Sequence, residues 1–237
     1  TIATRVQRLR DAICTPLPID ADTVAVTASI GVAVYPRDGL DAETLLKHAD
    51  IALYEAKAAG RDTFRTFSNT MNVQLIEQVA LEQALRRALN SDQIYLEYQP
   101  IVNLQTGLLT SFEALARWKH PELGQIPPGR FIPVAEKSGL IVQLGEHIVR
   151  SVISQLQQWQ DSGVPLAPIA INVSPLQFER TSFCELVHEL ALEHDVDPQW
   201  LAFEVTESNW LQDSSKHIVM LDGLCRVTIS RFYRDRD

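Results

Sequence analysis

The sequence predicts an α/β protein, and two patterns support that prediction. Short runs rich in Val, Ile and Thr, which are typical of buried strands, alternate with longer segments whose apolar residues recur at helical spacing. Strands separated by helices of this size form parallel β/α units, in an open sheet or a barrel. With 237 residues, 46% of them apolar and 22% charged, the chain can form one or two domains with buried cores.

The first region is predicted to be a strand–turn–helix unit. Residues 24–34 (VAVTASIGVAV) lack charged side chains, as expected of a strand that is buried on both faces. Asp41 is a candidate N-cap for the following helix, and Gly60 suits the left-handed backbone that ends many helices. Residues 62–74 are polar without a sustained period and predict a connector. We therefore place the domains at 1–71 and 72–237.

The second region alternates between strands and helices. The predicted elements are strands at 94–104, 109–118, 167–173 and 200–206, and helices at 140–161 and 182–194. Residues 226–237 form an atypical tail, because charged residues follow a normal strand start at Val227 without an apolar continuation. A shifted reading frame, a truncation or a natural surface tail would each explain it.

Composition narrows the function classes. A formal net charge of −9 argues against binding to a nucleic acid polymer, which relies on a basic face. Cys14, Cys184 and Cys225 are odd in number and far apart, so we predict neither disulfides nor zinc, and a cytoplasmic location. No apolar run is long enough for a membrane span within this chain. An upstream segment before Thr1, with or without a membrane anchor, is expected.

Three polar residues stand in otherwise apolar strands: Glu113 in SFEALARW, Asn172 in AIAINVSP and Glu204 in LAFEVTE. An unpartnered polar group in such a place costs roughly 2–7 kcal/mol, so partners are expected. Functional side chains gather at the carboxyl ends of parallel strands, where two carboxylates and an amide oxygen would suit Mg²⁺ or Mn²⁺. Arg117 could hold a phosphate beside that cation, which together would indicate phosphoester hydrolysis. Alternatively, each residue alone could form a turn or an ion pair.

The segments QPIVNLQTG, SFEALARWKHPELGQIPPGRFIPVAEKSG, AINVSPLQF and LAFEVTES, in this order, resemble the first part of an EAL domain. The resemblance covers residues 78–225. It implies an incomplete EAL-type modified TIM barrel and the hydrolysis of cyclic di-GMP to linear pGpG with two divalent cations. It also implies that Glu113, Asn172 and Glu204 bind one cation, and that Glu207 supports the loop that carries further metal ligands.

The same resemblance implies a set of substrate-binding residues. Arg117 is similar to the arginine that contacts a substrate phosphate, and Gln99 and Leu115 occupy positions that line the nucleotide pocket. Cyclic di-GMP is therefore the expected ligand. Complete EAL domains commonly form dimers, so a homodimer stays open.

The first region resembles the closing part of a GGDEF domain, the diguanylate cyclase fold, in TASIGVAVYPRDG and LLKHADIALYEAKAAGRDTF. Lys57 and Arg61 match positions that meet the GTP triphosphate. Alternatively, they are ordinary basic residues at a helix end, which complement the helix dipole. The GGDEF signature does not occur in the chain, so we expect no diguanylate cyclase activity.

The sequence departs from the EAL pattern after the EVTES segment. The resemblance implies paired aspartates in a DDFGTG-like loop and a lysine further on, whereas the corresponding stretch here is GLCRVTISRFYRDRD. We therefore expect half of a two-metal site, and a chain that is catalytically incomplete. The alternative is a non-catalytic module that binds cyclic di-GMP or a protein partner.

Overall fold

A computed structural model describes residues 1–19, 22–178 and 182–204. It contains two compact units, of which the first comprises Thr1–Ala80 and the second begins at Leu81. The sequence-based boundary between residues 71 and 72 falls within one long helix and stays a prediction. No helix in the described ranges is both long enough and apolar enough to cross a bilayer.

The first unit is a small α/β arrangement with two separate strand pairs. Strands β1 and β2 pair antiparallel, and β3 pairs parallel with β4. In chain order its elements are α1 (Ile2–Ile13), β1 (Leu17–Ile19), β2 (Asp22–Val24), β3 (Ile30–Val32), α2 (Ala42–Ala58), β4 (Phe64–Thr66) and the first part of α3 (Asn69–Ala88).

Helix α2 begins and ends as the sequence predicts. The Asp41 carboxylate accepts a hydrogen bond of 2.8 Å from the backbone N–H of Thr44, which satisfies a donor of the first turn. After the last helical residue, Gly60 has φ 101°, the left-handed conformation expected of a helix end. Gly31 in β3 allows close packing against this helix, since a Cβ there would lie 2.0 Å from the Ala49 carbonyl oxygen.

Two predictions for the first unit were wrong. Of the strand predicted at 24–34, only Val24, at the end of β2, and the three half-buried residues of β3 lie in strands. The connector predicted at 62–74 contains β4 and the start of α3. A three-residue strand is too short to show a period, and the polar residues in 69–74 belong to a largely solvent-exposed helix surface.

A buried aspartate anchors the turn after β3. Asp38 accepts hydrogen bonds of 2.8 Å from the backbone N–H of Val34 and of 2.7 and 2.8 Å from the Arg37 guanidinium. The bonds from Arg37 lower the pKa of Asp38, although burial acts in the opposite direction. His48 lies against the Asp38 carbonyl and stacks on Phe67, with ring centroids 3.8 Å apart.

The second unit is built on one mixed sheet. Its strands follow the order β5-β6-β8-β9, and β7 pairs with β6. Its elements are the end of α3, β5 (Ile94–Val102), β6 (Leu109–His120), β7 (Gly124–Ile126), α4 (Pro128–Ser138), α5 (Ile141–Asp161), β8 (Ile169–Asn172), α6 (Pro175–Phe178), α7 (Ser182–Glu193), a short 3₁₀ helix (Pro198–Trp200) and β9 (Leu201–Glu204).

The two predicted helices and four predicted strands of this region lie close to the predicted positions. The first of these strands, β5, does not run parallel to the others. Strands β6, β8 and β9 are parallel, whereas β5 is antiparallel to β6. The connector at 103–108 explains the antiparallel direction of β5, because it is too short for a parallel crossover, which needs about a dozen residues or more. Strand β7 and helix α4 were not predicted. In the described residues the sheet is open, and the tail at 226–237 lies outside them.

Helix α5 covers one face of this sheet and supplies much of the core. Leu144, Val149 and Leu156 on the helix are fully buried, as is Trp118 on β6. At the edge of this core, burial raises the pKa of Tyr98 to about 12. Because side chains alternate along a strand, Glu113 and Arg117 of β6 occupy the face opposite to Trp118.

Asp38→Asn should destabilise the first unit. The amide keeps the size of the side chain but loses the charge-assisted bonds to Arg37, which we expect to lower the free energy of unfolding by about 1 kcal/mol. Because folding lowers the pKa of Asp38, its stabilisation is complete above the unfolded aspartate pKa of about 3.9 and is lost as the pH falls through the folded value. Urea unfolding at several pH values would check this. Asp50→Asn, at an exposed site on α2, is the charge-matched control, and an equal loss there would contradict the prediction.

Candidate functional site

Strand register brings the predicted polar residues onto one face of the second sheet. Gln99 of β5 lies opposite Glu113 of β6, and Glu113 lies opposite Ala170 of β8. Two residues further along β8, Asn172 lies opposite Glu204 of β9. Four neighbouring strands therefore present their polar side chains on the face that α5 does not cover.

Two of the three predicted metal ligands are in direct contact. The Asn172 amide nitrogen Nδ2 donates a hydrogen bond of 2.7 Å to Glu113 Oε1. Glu113 is half-buried and Asn172 is exposed at the end of β8. Glu204 is half-buried, and in the strand register it lies opposite Asn172 on the neighbouring strand β9. The contact provides a partner for two of these polar groups, Glu113 and Asn172.

The donor chemistry of this trio fits a hard divalent cation. Glu113 and Glu204 supply carboxylate oxygens, and Asn172 supplies an amide oxygen, which are the ligand types that Mg²⁺ and Mn²⁺ prefer. Among the described residues no group of three or more His, Cys, Asp or Glu side chains could hold a metal ion. The trio contains two carboxylates and an amide, so it is not such a group.

Arg117 lies on the same face but is already paired. Its Nε donates a hydrogen bond of 2.6 Å to Glu97 Oε2, and Nη1 donates one of 3.1 Å to the Ala116 carbonyl oxygen. Leu115, also half-buried, lies opposite Glu97 in the register. Glu97 was not predicted, although the two-residue period of β5 places it on the same face as Gln99.

A cavity of about 260 Å³ opens beside the trio, at the carboxyl ends of β8 and β9. Asn172 and Glu204 line it together with Glu136 of α4, Ser174 and Gln177. No sequence pattern marked the last three residues, because their role depends on the path of the loop after β8. Two of the predicted metal ligands therefore share a cavity with residues of α4 and α5.

Hydrogen bonds hold the loop that follows Asn172. The Ser174 hydroxyl donates to Glu136 Oε1 at 2.8 Å, and the Ser174 backbone N–H donates to Gln177 Oε1 at 2.8 Å. Gln177 is buried, with 3% of its surface exposed. Its amide lies over Gly145 of α5, where a Cβ would come within 1.6 Å of Gln177 Nε2. A larger residue at position 145 would therefore displace the buried Gln177 amide.

The remaining predicted residues lie apart from this face or outside the described residues. In the first unit, Lys57 is exposed in the last turn of α2, and Arg61 is exposed with φ 61°. Glu207 lies outside the described residues, as do positions 205 and 206 of the last predicted strand.

Family models match both regions of the chain. One described as "EAL domain" matches residues 82–235, and one described as "Diguanylate cyclase, GGDEF domain" matches residues 1–63. The chain therefore belongs to the EAL domain family, and a GGDEF segment precedes the EAL segment.

Two similar proteins have names that state a cyclic di-GMP phosphodiesterase activity. The "Bifunctional diguanylate cyclase/cyclic di-GMP phosphodiesterase MucR" of Pseudomonas aeruginosa is 40% identical over 96% of this chain, and the match covers 33% of that protein. "Cyclic di-GMP phosphodiesterase PdeR" of Escherichia coli is 37% identical over 81% of this chain and 29% of its own length. The chain thus spans a third or less of the length of these relatives.

Solved structures agree with the fold. The structure titled "PaMucR Phosphodiesterase, c-di-GMP complex" has a TM-score of 0.59 and 40% identity, and covers 63% of this chain and 61% of that chain. The EAL enzyme Bd1971, bound to cAMP and cyclic di-GMP, has a TM-score of 0.56 and 28% identity, and covers 65% of this chain and 42% of its own. These matches confirm the predicted fold class, a partial GGDEF domain followed by an incomplete EAL-type barrel domain.

Gly145→Ala should disturb the loop that carries Asn172. The added methyl group would collide with the buried Gln177 amide, and we expect a loss of about 1–3 kcal/mol in the free energy of unfolding. Gly129→Ala in α4 is the matched control, because a Cβ there meets nothing within 4 Å. Thermal or urea unfolding of both variants would check this. Equal stabilities for the two variants would contradict the close packing of Gln177 on α5.

Proposed function

We propose that the polar face of the second unit is the substrate site of a cyclic di-GMP phosphodiesterase of the EAL type. The observation that supports it most directly is the register of Glu113, Asn172 and Glu204 on three adjacent strands, with Arg117 on the same face. The names of MucR and PdeR, and the bound cyclic di-GMP in similar EAL structures, point to the same ligand.

Three of these residues share one role in the proposed site, which is to bind a metal ion. Glu113, Asn172 and Glu204 would hold a divalent cation, Mg²⁺ or Mn²⁺, which supplies polarisation of a phosphate oxygen and activation of a water molecule. Glu113 and Asn172 are already in contact through the Asn172 amide nitrogen, so Asn172 Oδ1 and Glu113 Oε2 are the oxygens that would bind the cation. Glu207 would support the loop that carries further ligands.

The substrate would be held by groups on β5 and β6. Arg117 would bind a phosphate of cyclic di-GMP with its planar guanidinium, which suits phosphate geometry. Gln99, opposite Glu113, and Leu115, two residues before Arg117, would line the nucleotide pocket. An acidic chain with net charge −9 can bind this anion because a few placed groups neutralise it locally.

Binding without hydrolysis is the second candidate, and one observation favours it for this chain. The stretch from 222 to 237 contains no adjacent aspartates, which the resemblance requires for the second cation. Lys57 and Arg61 remain proposed remnants of a GTP site without cyclase activity. We further propose a cytoplasmic location. Sedimentation would test whether the chain forms a homodimer, and a compact monomer in that experiment would exclude one.

Glu113→Ala should weaken cation binding at this site. Removal of one of two carboxylates should weaken Mn²⁺ binding by at least about tenfold, as measured by calorimetry or electron paramagnetic resonance. Glu193→Ala, at an exposed position at the end of α7, is the control and should leave the affinity unchanged. If both variants bind Mn²⁺ like the wild type, the cation does not lie at the trio.

Arg117→Ala should weaken the binding of cyclic di-GMP by about ten- to a hundredfold, because a hydrogen-bonded charge is lost. The matched control is Arg150→Ala, at an exposed position of α5.

Hydrolysis is tested separately, by chromatography of cyclic di-GMP incubated with the chain and Mg²⁺ or Mn²⁺, which follows the formation of linear pGpG. Product that disappears in Glu113→Ala would demonstrate hydrolysis, whereas binding without product would favour the second candidate. A wild-type chain that neither binds nor hydrolyses cyclic di-GMP would refute both.

A further inference from the structure

Glu97 places a carboxylate within the face that the proposed function assigns to an anionic ligand. On β5 it lies two residues before Gln99, and in the register it lies opposite Leu115. About half of its side-chain surface is exposed (53%), against 23% for Arg117, to which it is bonded at 2.6 Å. A free carboxylate here would repel a phosphate, so its presence requires a physical reason.

The contacts of Arg117 supply that reason. A guanidinium has five N–H donors in one rigid plane. The Nε–H is bonded to Glu97 and one Nη1–H to the Ala116 carbonyl oxygen, which leaves one N–H donor on Nη1 and two on Nη2. Two bonds from different sides of the group fix the orientation of its plane. The remaining edge is the one that can form paired hydrogen bonds to a phosphate.

Stability alone does not account for the pair. Ion pairs with one partner half exposed to water contribute little to the free energy of unfolding, because solvent screens them and two long side chains must be ordered. Preorganisation, by contrast, lowers the entropy that a ligand must overcome when it binds a flexible arginine. The bond between Glu97 and Arg117 therefore contributes little to the stability of the fold and more to the binding of a ligand.

We propose that Glu97 is a positioning residue, which holds the Arg117 guanidinium so that its Nη edge faces the phosphate of the bound nucleotide. This inference rests on the proposed function, since it takes cyclic di-GMP as the ligand. Glu97 acts through Arg117 and does not contact the ligand itself.

The test is a double-mutant cycle on the full chain with cyclic di-GMP as the probe. The variants are Glu97→Ala, Glu97→Gln, Arg117→Ala and the double variant Glu97→Ala with Arg117→Ala. Affinities are measured by calorimetry in the presence of a chelator, so that no hydrolysis takes place. Thermal midpoints are recorded for each variant, and we expect them to stay close to the wild-type value.

Three results are expected together. Glu97→Ala should weaken binding about three- to tenfold, a typical coupling between residues in contact. Glu97→Gln should bind at least as well as the wild type, because its amide oxygen still accepts the Nε–H of Arg117. In the Arg117→Ala background, the change Glu97→Ala should no longer weaken binding, because the carboxylate then has no guanidinium to orient.

Other results would overturn the inference. An equal loss from Glu97→Ala in both backgrounds would mean that Glu97 contacts the ligand or supports the fold independently of Arg117. Tighter binding by Glu97→Ala would mean that the carboxylate only repels the phosphate. A wild type that binds cyclic di-GMP, with no effect of Glu97→Ala, would refute this inference and leave the proposed function intact. A wild type that does not bind would refute the proposed function and this role of Glu97 with it.

Discussion

The alternation of side chains along β6 is the constraint on which the second unit depends. Ala114 and Trp118 point into the core, where Trp118 packs edge-to-face on Phe131 with ring centroids 5.8 Å apart. Glu113 and Arg117 occupy the other face by the same two-residue period. A shift of one residue would exchange the two sets, so burial of the apolar set also specifies where the polar set lies.

The position of Asn172 also depends on the loop that follows strand β8. Strand β8 brings it next to Glu113, but the loop that follows is held from outside the sheet, by Glu136 through Ser174 and by Gln177 over Gly145. The candidate metal site is thus coupled to the packing of α4 and α5. Positions far from the ligand can influence such a site because they set the orientation of its side chains.

Charge is arranged locally rather than by the overall composition. The chain is acidic, and its candidate site combines carboxylates for a cation with a single arginine for a phosphate. Glu97 links the two parts, because it neutralises Arg117 in the free protein while leaving one edge of the guanidinium available. In a site of this kind, a bound cation and the arginine would each contribute to holding an anion.

The sequence alone determined the helices and longer strands, the EAL resemblance, and the placement of Glu113, Asn172 and Glu204 in apolar strands. Each of these follows from a local period or motif, which neighbouring residues carry. The Glu97–Arg117 pair and the fit of Gln177 on Gly145 were decided only in the tertiary structure. They depend on register and packing between residues about twenty or more positions apart, for which no local pattern exists, because the partners meet only once the sheet and α5 have assembled.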